Sequence, residues 1–332
     1  MSYGKSTLLK TAQLLSERRS KAENIQRAHH SEVIAKLPEI AKYEAQLSAS
    51  GLALVKALGM GGDAAKYIDE LSKLNLSVQD DIHRLLTASG YPADYLETPY
   101  VCKKCEDTGF CGGQSCECRK ALLKAVAKSE LEAVSPSRNC EFADFDLTLY
   151  PAEVSPTYGI SPRSRMREIF EYCRCYADDF GKCSDSLFMH GATGLGKTHL
   201  SLAIANVVVE KGFEVIYGSA QNLLSSLERE KFGGGSGERE KELLDCDLLI
   251  IDDLGSEFST QFTVACIYNI INTRINLDKP VIISTNLTGE ELEAKYTQRI
   301  TSRIIGSYVS LLFIGKDIRQ LKNSIKRTDE WI

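Results

Sequence analysis

Gly191-Ala192-Thr193-Gly194-Leu195-Gly196-Lys197-Thr198 sets a glycine, four residues, then glycine, lysine and a hydroxyl. That is the spacing of a phosphate-binding loop, in which glycines let the backbone curl until several N–H groups face one anion. Lys197 then reaches the β- and γ-phosphates of a nucleotide, and the Thr198 hydroxyl holds Mg²⁺. Ser186 to His190 reads as a short buried strand, and His199 to Lys211, rich in Leu, Ala, Ile and Val, reads as a helix. A strand, a glycine loop and a helix N-terminus in that order are what phosphate capture requires, so Gly191 through His199 form the expected nucleotide-contacting set.

Three further segments carry matching chemistry. Leu248 to Ile251 are four apolar residues running into Asp252 and Asp253. They read as a strand buried on both faces, with two carboxylates at the end where α/β sheets place their ligands. Asp252 is expected to hold Mg²⁺ opposite Thr198, and Asp253 to orient or deprotonate the attacking water. Glu257 is an alternative for that second task, because Asp253 is one methylene shorter than glutamate. Val281-Ile282-Ile283-Ser284-Thr285-Asn286 reads as another buried strand whose final amide suits the γ-phosphate or the water. In Gln298 to Arg303, Arg299 and Arg303 lie four apart on one helix face. Arg303, with Arg299 as second choice, is the candidate arginine finger for a neighbour's site. Arg319 could reach the nucleotide from the C-terminal end.

A different chemistry precedes these. Cys102, Cys105, Cys116 and Cys118 form two close pairs around a glycine-containing turn. Two thiolates of a C-x-x-C knuckle can face one ion and a second pair completes a tetrahedron, a soft and closed set that favours structural Zn²⁺ over catalytic metal. Cys111 lies in the turn as a fifth thiol able to replace a ligand, and an iron–sulfur cluster is the rival occupant.

The elements that must position these residues follow from the rest of the 332 residues. A hydrophobic fraction of 43%, a charged fraction of 26% and a net charge of −5 are ordinary for a globular chain and give no global positive field. No run is long enough to span a bilayer and no signal peptide is evident, which predicts a cytoplasmic protein whose 11 cysteines are thiols or metal ligands rather than disulfides. Residues 1–100 read as helical, with a break at Gly59 to Gly62, a restart at Asp63 or Ala64, and Ser77 capping a helix over Val78 to Leu86. Lys120 to Lys128 reads as a short helix. The proline-rich stretch from Ser135 to Pro162 reads as a connector anchored by Phe142, Phe145, Leu147 and Tyr150. Met166 to Phe180 reads as a helix. Strand-like segments at 186–190, 214–218, 247–252 and 280–285 alternate with helical sequence, which argues for a parallel sheet with helices on its faces. Gly233 to Gly237 reads as a flexible loop.

On the residues Gly191–Thr198, Leu248–Gly255, Ser284–Asn286 and Gln298–Arg303, the chain resembles the AAA+ ATPases, and more narrowly the bacterial replicative-helicase loaders of the DnaC/DnaI type. The run from Asn139 to Tyr150 resembles that family's approach to its ATPase domain. Cys102–Cys118 stands where the DnaI branch carries a zinc module. The resemblance implies an α/β fold: an AAA+ P-loop parallel sheet flanked by helices, preceded by a helical region and a small cysteine zinc module. It divides the chain into a partner-binding region at 1–100, a zinc module at 101–128, a linker at 129–162 and an ATPase domain at 163–332. It also implies cofactors ATP, Mg²⁺ and Zn²⁺, slow partner-stimulated hydrolysis, and self-association through the ATPase domain. Implied partners are the hexameric replicative DNA helicase and single-stranded DNA, with no membrane. The helical lid of larger AAA+ proteins is expected to be absent or minimal, and Leu223–Leu244 is the place for an initiator-like DNA-contacting helix. The rivals are a transposition helper ATPase of the IstB type, which shares this core, and a nucleotide-gated adaptor with little turnover.

Overall fold

The computed structural model describes residues 3–57, 64–135, 140–181, 184–235 and 237–320. The chain forms two compact units, one of Thr11–Lys120 and one of Met1–Lys10 with Ala121–Ile332. The restart at Asp63 and the glycines before it lie outside the described residues.

Three helices open the chain: α1 (Lys5–Lys36), α2 (Glu39–Ala57) and α3 (Ala64–Ala88). Their core gathers Val33, Ile40, Val78, Ile82 and Leu86, with Tyr43, Leu47, Tyr91 and Tyr95 packed around it. Ser77 does not cap a helix: it sits inside α3. The buried stripe Leu71, Val78, Ile82 and Leu86 keeps helical spacing straight through it, and that burial outweighs the small helix penalty of one serine.

Two short antiparallel strands follow, β1 (Phe110–Cys111) and β2 (Gln114–Ser115). Gly112 and Gly113 join them at φ 56° and 79°, the conformation a two-residue hairpin turn needs and glycine supplies without strain. The helix expected over Lys120 to Lys128 is longer, α4 (Glu117–Val134).

The α/β unit begins with α5 (Pro162–Asp178), whose first turn is set by Pro162 and by the Ser161 side chain accepting from the Ser164 amide. It continues through β3 (Ser186–His190), α6 (Lys197–Glu210), β4 (Val215–Ser219), α7 (Ala220–Phe232) and α8 (Glu238–Asp245). It ends with β5 (Leu248–Leu254), α9 (Gln261–Asn276), β6 (Val281–Thr285), α10 (Gly289–Ser307) and β7 (Tyr308–Leu312). The five strands from β3 to β7 form one parallel sheet in the order β4-β5-β6-β3-β7. One face packs Met166, Ile169, Leu200 and Ile204; the other packs Leu224, Ile267, Ile271 and Ile300. Burial on both sides explains why β5 and β6 open on unbroken apolar runs, Leu248–Ile251 and Val281–Ile283. β7 was not expected. The loop at Gly233 to Gly237 separates α7 from α8, and its Ser236 lies outside the described residues.

The sheet has a further fixed point. Arg274 of α9 is fully buried. Its guanidinium donates to the carbonyls of Leu243, Leu244 and Cys246 at 2.8–3.2 Å and of Pro280 at 2.9 Å. It thereby ties the end of α8 to the starts of β5 and β6, using carbonyl oxygens where most buried cations use a carboxylate.

Candidate nucleotide site

The C-terminal ends of β3, β5 and β6 converge on one cavity of about 750 Å³. It is lined by Thr193 to His199 of the glycine loop and by Asp252, Asp253, Ser284 and Asn286. The loop's shape depends on its glycines. At Gly191 (φ 140°) an added Cβ would come within 2.3 Å of the Phe313 carbonyl. At Gly194 (φ 75°) it would come within 2.0 Å of Asp317 Oδ1. The segment after β7 thus lies against the loop; the Ile318 amide donates to the Gly194 carbonyl at 3.1 Å, and Arg319 joins the cavity lining.

Lys197 Nζ donates to the carbonyls of Gly191 and Ala192 at 2.6 and 2.7 Å and to Asn286 Oδ1 at 2.8 Å. Burial lowers its pKa to about 8, against the pull of Asp253 and Asp252. Such an ammonium is short of solvation and has much to gain from an anion. Thr198 Oγ1 donates to both Asp252 oxygens at 3.1 and 3.0 Å. Asp252 also accepts from Ser284 Oγ at 2.5 Å and from the Tyr217 hydroxyl at 2.8 Å. Three hydroxyls therefore fix one nearly buried carboxylate, and with Thr198 it makes an oxygen-rich pair suited to Mg²⁺ and its waters.

Asp252 and Asp253 are adjacent on a strand, where neighbours ordinarily point to opposite faces. Both line the cavity. The reason is a register shift between Ile251 and Leu254, where Asp253 takes φ 56°; a bulge of this kind re-aims a side chain. Asp253 Oδ1 then accepts from Asn286 Nδ2 at 2.7 Å, and the Asp253 amide donates to Ser284 Oγ at 2.8 Å. Asn286 bridges Lys197 and Asp253.

Glu257 does not enter this cavity. Its carboxylate accepts from the Gly255 amide, the Tyr296 hydroxyl and Lys295. Burial pushes its pKa up, but the hydrogen bond from Tyr296 and the backbone amides bring it below the usual carboxylate value. Arg303 and Arg299 are likewise outside the lining. Arg303 donates to the Tyr268 hydroxyl at 3.2 Å and lies over its ring, and Arg299 lines a separate groove with Thr260, Val264 and Tyr268.

The connector supplies a part that sequence reading missed. Phe145, Leu149 and Tyr150 line the far end of the cavity. The Tyr150 hydroxyl donates to the Leu195 carbonyl at 2.9 Å, and a Cβ on Gly196 would meet the Phe145 ring at 2.8 Å. His199 packs edge-on against Phe145 and is 2.8 Å from the Glu141 carbonyl. The apolar spacing of 142–150 marked these residues as anchors, not as a wall of the site. Tyr217, in the middle of β4, gave no sequence signal beyond its place in a strand.

In the other unit, the Sγ atoms of Cys102, Cys105, Cys116 and Cys118 all lie within 4.8 Å of one another. The Cys102–Cys116 and Cys105–Cys118 separations are 3.9 and 3.3 Å. A tetrahedron with Zn–S bonds of about 2.3 Å has edges of about 3.8 Å, so the four thiols fit the ion. Asp107, almost fully buried, holds the knuckle by accepting from the amides of Val101 and Cys102 at 2.9 Å each. Cys111 is not one of these four; it donates to the Lys104 carbonyl at 3.3 Å and lies beside Cys116.

A parallel sheet with a glycine loop after one strand, paired carboxylates at the end of a second and a polar amide after a third is the arrangement of a P-loop nucleotide-binding domain. Residues 173–307, less than half of the chain, match the family model described as "IstB-like ATP binding protein". The chain is 30% identical over 138 residues to the chromosomal replication initiator protein DnaA of Campylobacter jejuni strain 81-176, covering 40% of this chain and 31% of that protein. It is 26% identical over 143 residues to the replicative helicase loader DnaC of Escherichia coli K12, covering 42% and 58%. The crystal structure of the DnaC helicase loader aligns with a TM-score of 0.44 at 23% identity, over 52% of this chain and 98% of that one. The match thus spans about a third of the DnaA initiator and less than two-thirds of the DnaC loader. No helix among the described residues is long and apolar enough to cross a membrane.

Proposed function

We propose that the chain is a cytoplasmic, ATP-dependent helicase loader that binds the hexameric replicative DNA helicase and helps place it on single-stranded DNA. The observation that carries the reading is the convergence of Lys197, Thr198, Asp252, Asp253 and Asn286 on one cavity. Similarity to DnaC and DnaA supports the replication setting. In this reading the loop amides and Lys197 bind the β- and γ-phosphates, and Thr198 and Asp252 hold Mg²⁺, which neutralises the phosphate charge. Asp253, steadied by Asn286, orients water for attack on the γ-phosphorus, giving ADP and phosphate. Arg319 contacts the nucleotide within the same chain.

Arg303, lying outside its own cavity, serves the site of a neighbouring protomer, with Arg299 beside it, so the domain self-associates to hydrolyse. Residues 1–100 contact the helicase, and single-stranded DNA meets the ATPase domain near α7 and α8. Hydrolysis is slow and partner-stimulated. The asparagine variant Asp253→Asn should keep ATP affinity and lower the single-turnover hydrolysis rate about 10²-fold, the size of a lost acid–base or water-orienting group. An unchanged rate removes Asp253 from that role.

The four-thiol cluster is read as a structural zinc site. Purified protein should hold about one equivalent of zinc, and because metal binding and folding are linked, chelation should loosen residues 101–120 to hydrogen exchange. Less than half an equivalent after gentle purification counts heavily against zinc.

The IstB-like match at 173–307 favours a second reading, a transposition helper ATPase. Size-exclusion chromatography separates the two. The loader should co-elute with the replicative helicase, and more completely with ATP. Absence of a complex under every nucleotide condition, together with binding to a transposase, selects the helper.

A further inference from the structure

Glu257 follows Asp253 by four residues, yet its side chain is 1% exposed and fully engaged elsewhere. One oxygen accepts from the Gly255 amide at 2.9 Å; the other accepts from the Tyr296 hydroxyl and lies 3.3 Å from Lys295 Nζ. Lys295 closes the clasp by donating to the carbonyls of Gly255 and Glu257 at 2.5 and 2.8 Å. The loop bearing the clasp leaves β5 just after Asp253 and Leu254, and Asn286 holds the Asp253 carboxylate. At Gly255 (φ 109°) a Cβ would come within 2.5 Å of Leu287, so this loop has little freedom to shift alone.

On the other side of the clasp α10 is broken. Thr297, immediately after Tyr296, takes φ 73° and ψ 153°, a conformation a β-branched residue keeps only where its surroundings impose it. Arg299 and Arg303 lie on the helix just beyond this break. The clasp is therefore the packed link between the end of β5, where Asp253 lies, and the arginine-bearing half of α10.

We propose that Glu257 is a positioning residue. Through Tyr296 and Lys295 it holds the Thr297 break, sets how Arg299 and Arg303 are presented to the neighbouring protomer, and ties that presentation to the state of Asp253 in its own chain. The inference rests on reading Arg303 as a finger acting in trans. It separates two roles for one carboxylate: a water-orienting Glu257 acts on the nucleotide of its own chain, whereas a positioning Glu257 acts on the neighbour's.

Mixed assemblies tell these apart. Lys197→Ala supplies a finger without a site, and Arg303→Ala a site without a finger, so their mixture should hydrolyse ATP faster than either alone. Glu257→Gln added to the Lys197→Ala chain should lower that mixed activity about fivefold, and added to the Arg303→Ala chain less than about twofold. Tyr296→Phe, which removes one hydroxyl, should show the same asymmetry. The single variant Glu257→Gln should bind a fluorescent ATP analogue as the parent does, which establishes that its fold and site are intact. The opposite asymmetry, or equal losses in both arms, overturns the proposal. No activity in the starting mixture is a separate failure, read before Glu257 is altered, and it removes the finger in trans and this inference together.

Discussion

Lys197→Ala should reduce ATP affinity by about 100-fold or more, the loss expected when charge-assisted bonds to two phosphates disappear. The ammonium is already gathered at the mouth of the loop by the Gly191 and Ala192 carbonyls and by Asn286. Burial has lowered its pKa to about 8, so phosphate would replace neutral acceptors with a full counter-charge. The alanine removes that gain while leaving the glycine loop, β3 and α6 in place. The four-thiol module, in the other unit, should keep its hydrogen-exchange protection. Titration with a fluorescent ATP analogue checks the affinity. Native affinity in the variant would mean that the cavity is not a phosphate site.

The second large effect is on stability and falls at Arg274. Arg274→Ala leaves the carbonyls of Leu243, Leu244, Cys246 and Pro280 short of a donor in a buried place and opens a cavity where a long side chain stood. Cavity and unmet acceptors together should cost about 3–5 kcal/mol. In urea, where a domain of this size loses about 2–3 kcal/mol per molar, the unfolding midpoint of the α/β unit should fall by about 1–2 M. Arg274→Lys should recover part of this, since an ammonium has three donors in place of the guanidinium's five. A midpoint equal to the parent's would show that the carbonyl cluster is satisfied without the guanidinium.

What could be read in the sequence was what is encoded locally. The glycine loop, the two carboxylates after an apolar run and the cysteine spacing each lie within a few residues; the structure brings the first two to one cavity and gathers the four thiols in one cluster. β7 escaped because it starts at Tyr308 directly after α10 ends at Ser307, with no turn residue to announce it, and because Ser310 interrupts its apolar pattern. Ser77 misled because capping residues are common inside helices whose buried stripe is strong. The role of Glu257 was unreadable for another reason: its partner Tyr296 lies 39 residues away, and only the β5–β6 register and the path of α10 bring them together. Arg274 is similar, since no local pattern marks a cation whose acceptors are backbone carbonyls. The connector wall of Phe145 and Tyr150 was visible as apolar anchoring, but only the fold places it against Gly196.

The central claim, that ATP at this cavity drives placement of a helicase on DNA, is tested most directly on a closed circle of single-stranded DNA. A pre-formed hexameric replicative helicase is incubated with the circle, and helicase retained on it is counted after a high-salt wash. The parent chain with ATP should raise retained helicase about tenfold over helicase alone, whereas Lys197→Ala should raise it hardly at all, consistent with loss of a coupling on the order of 1–3 kcal/mol. Equal retention with the parent and with Lys197→Ala would contradict the account, because placement would then not depend on the nucleotide site.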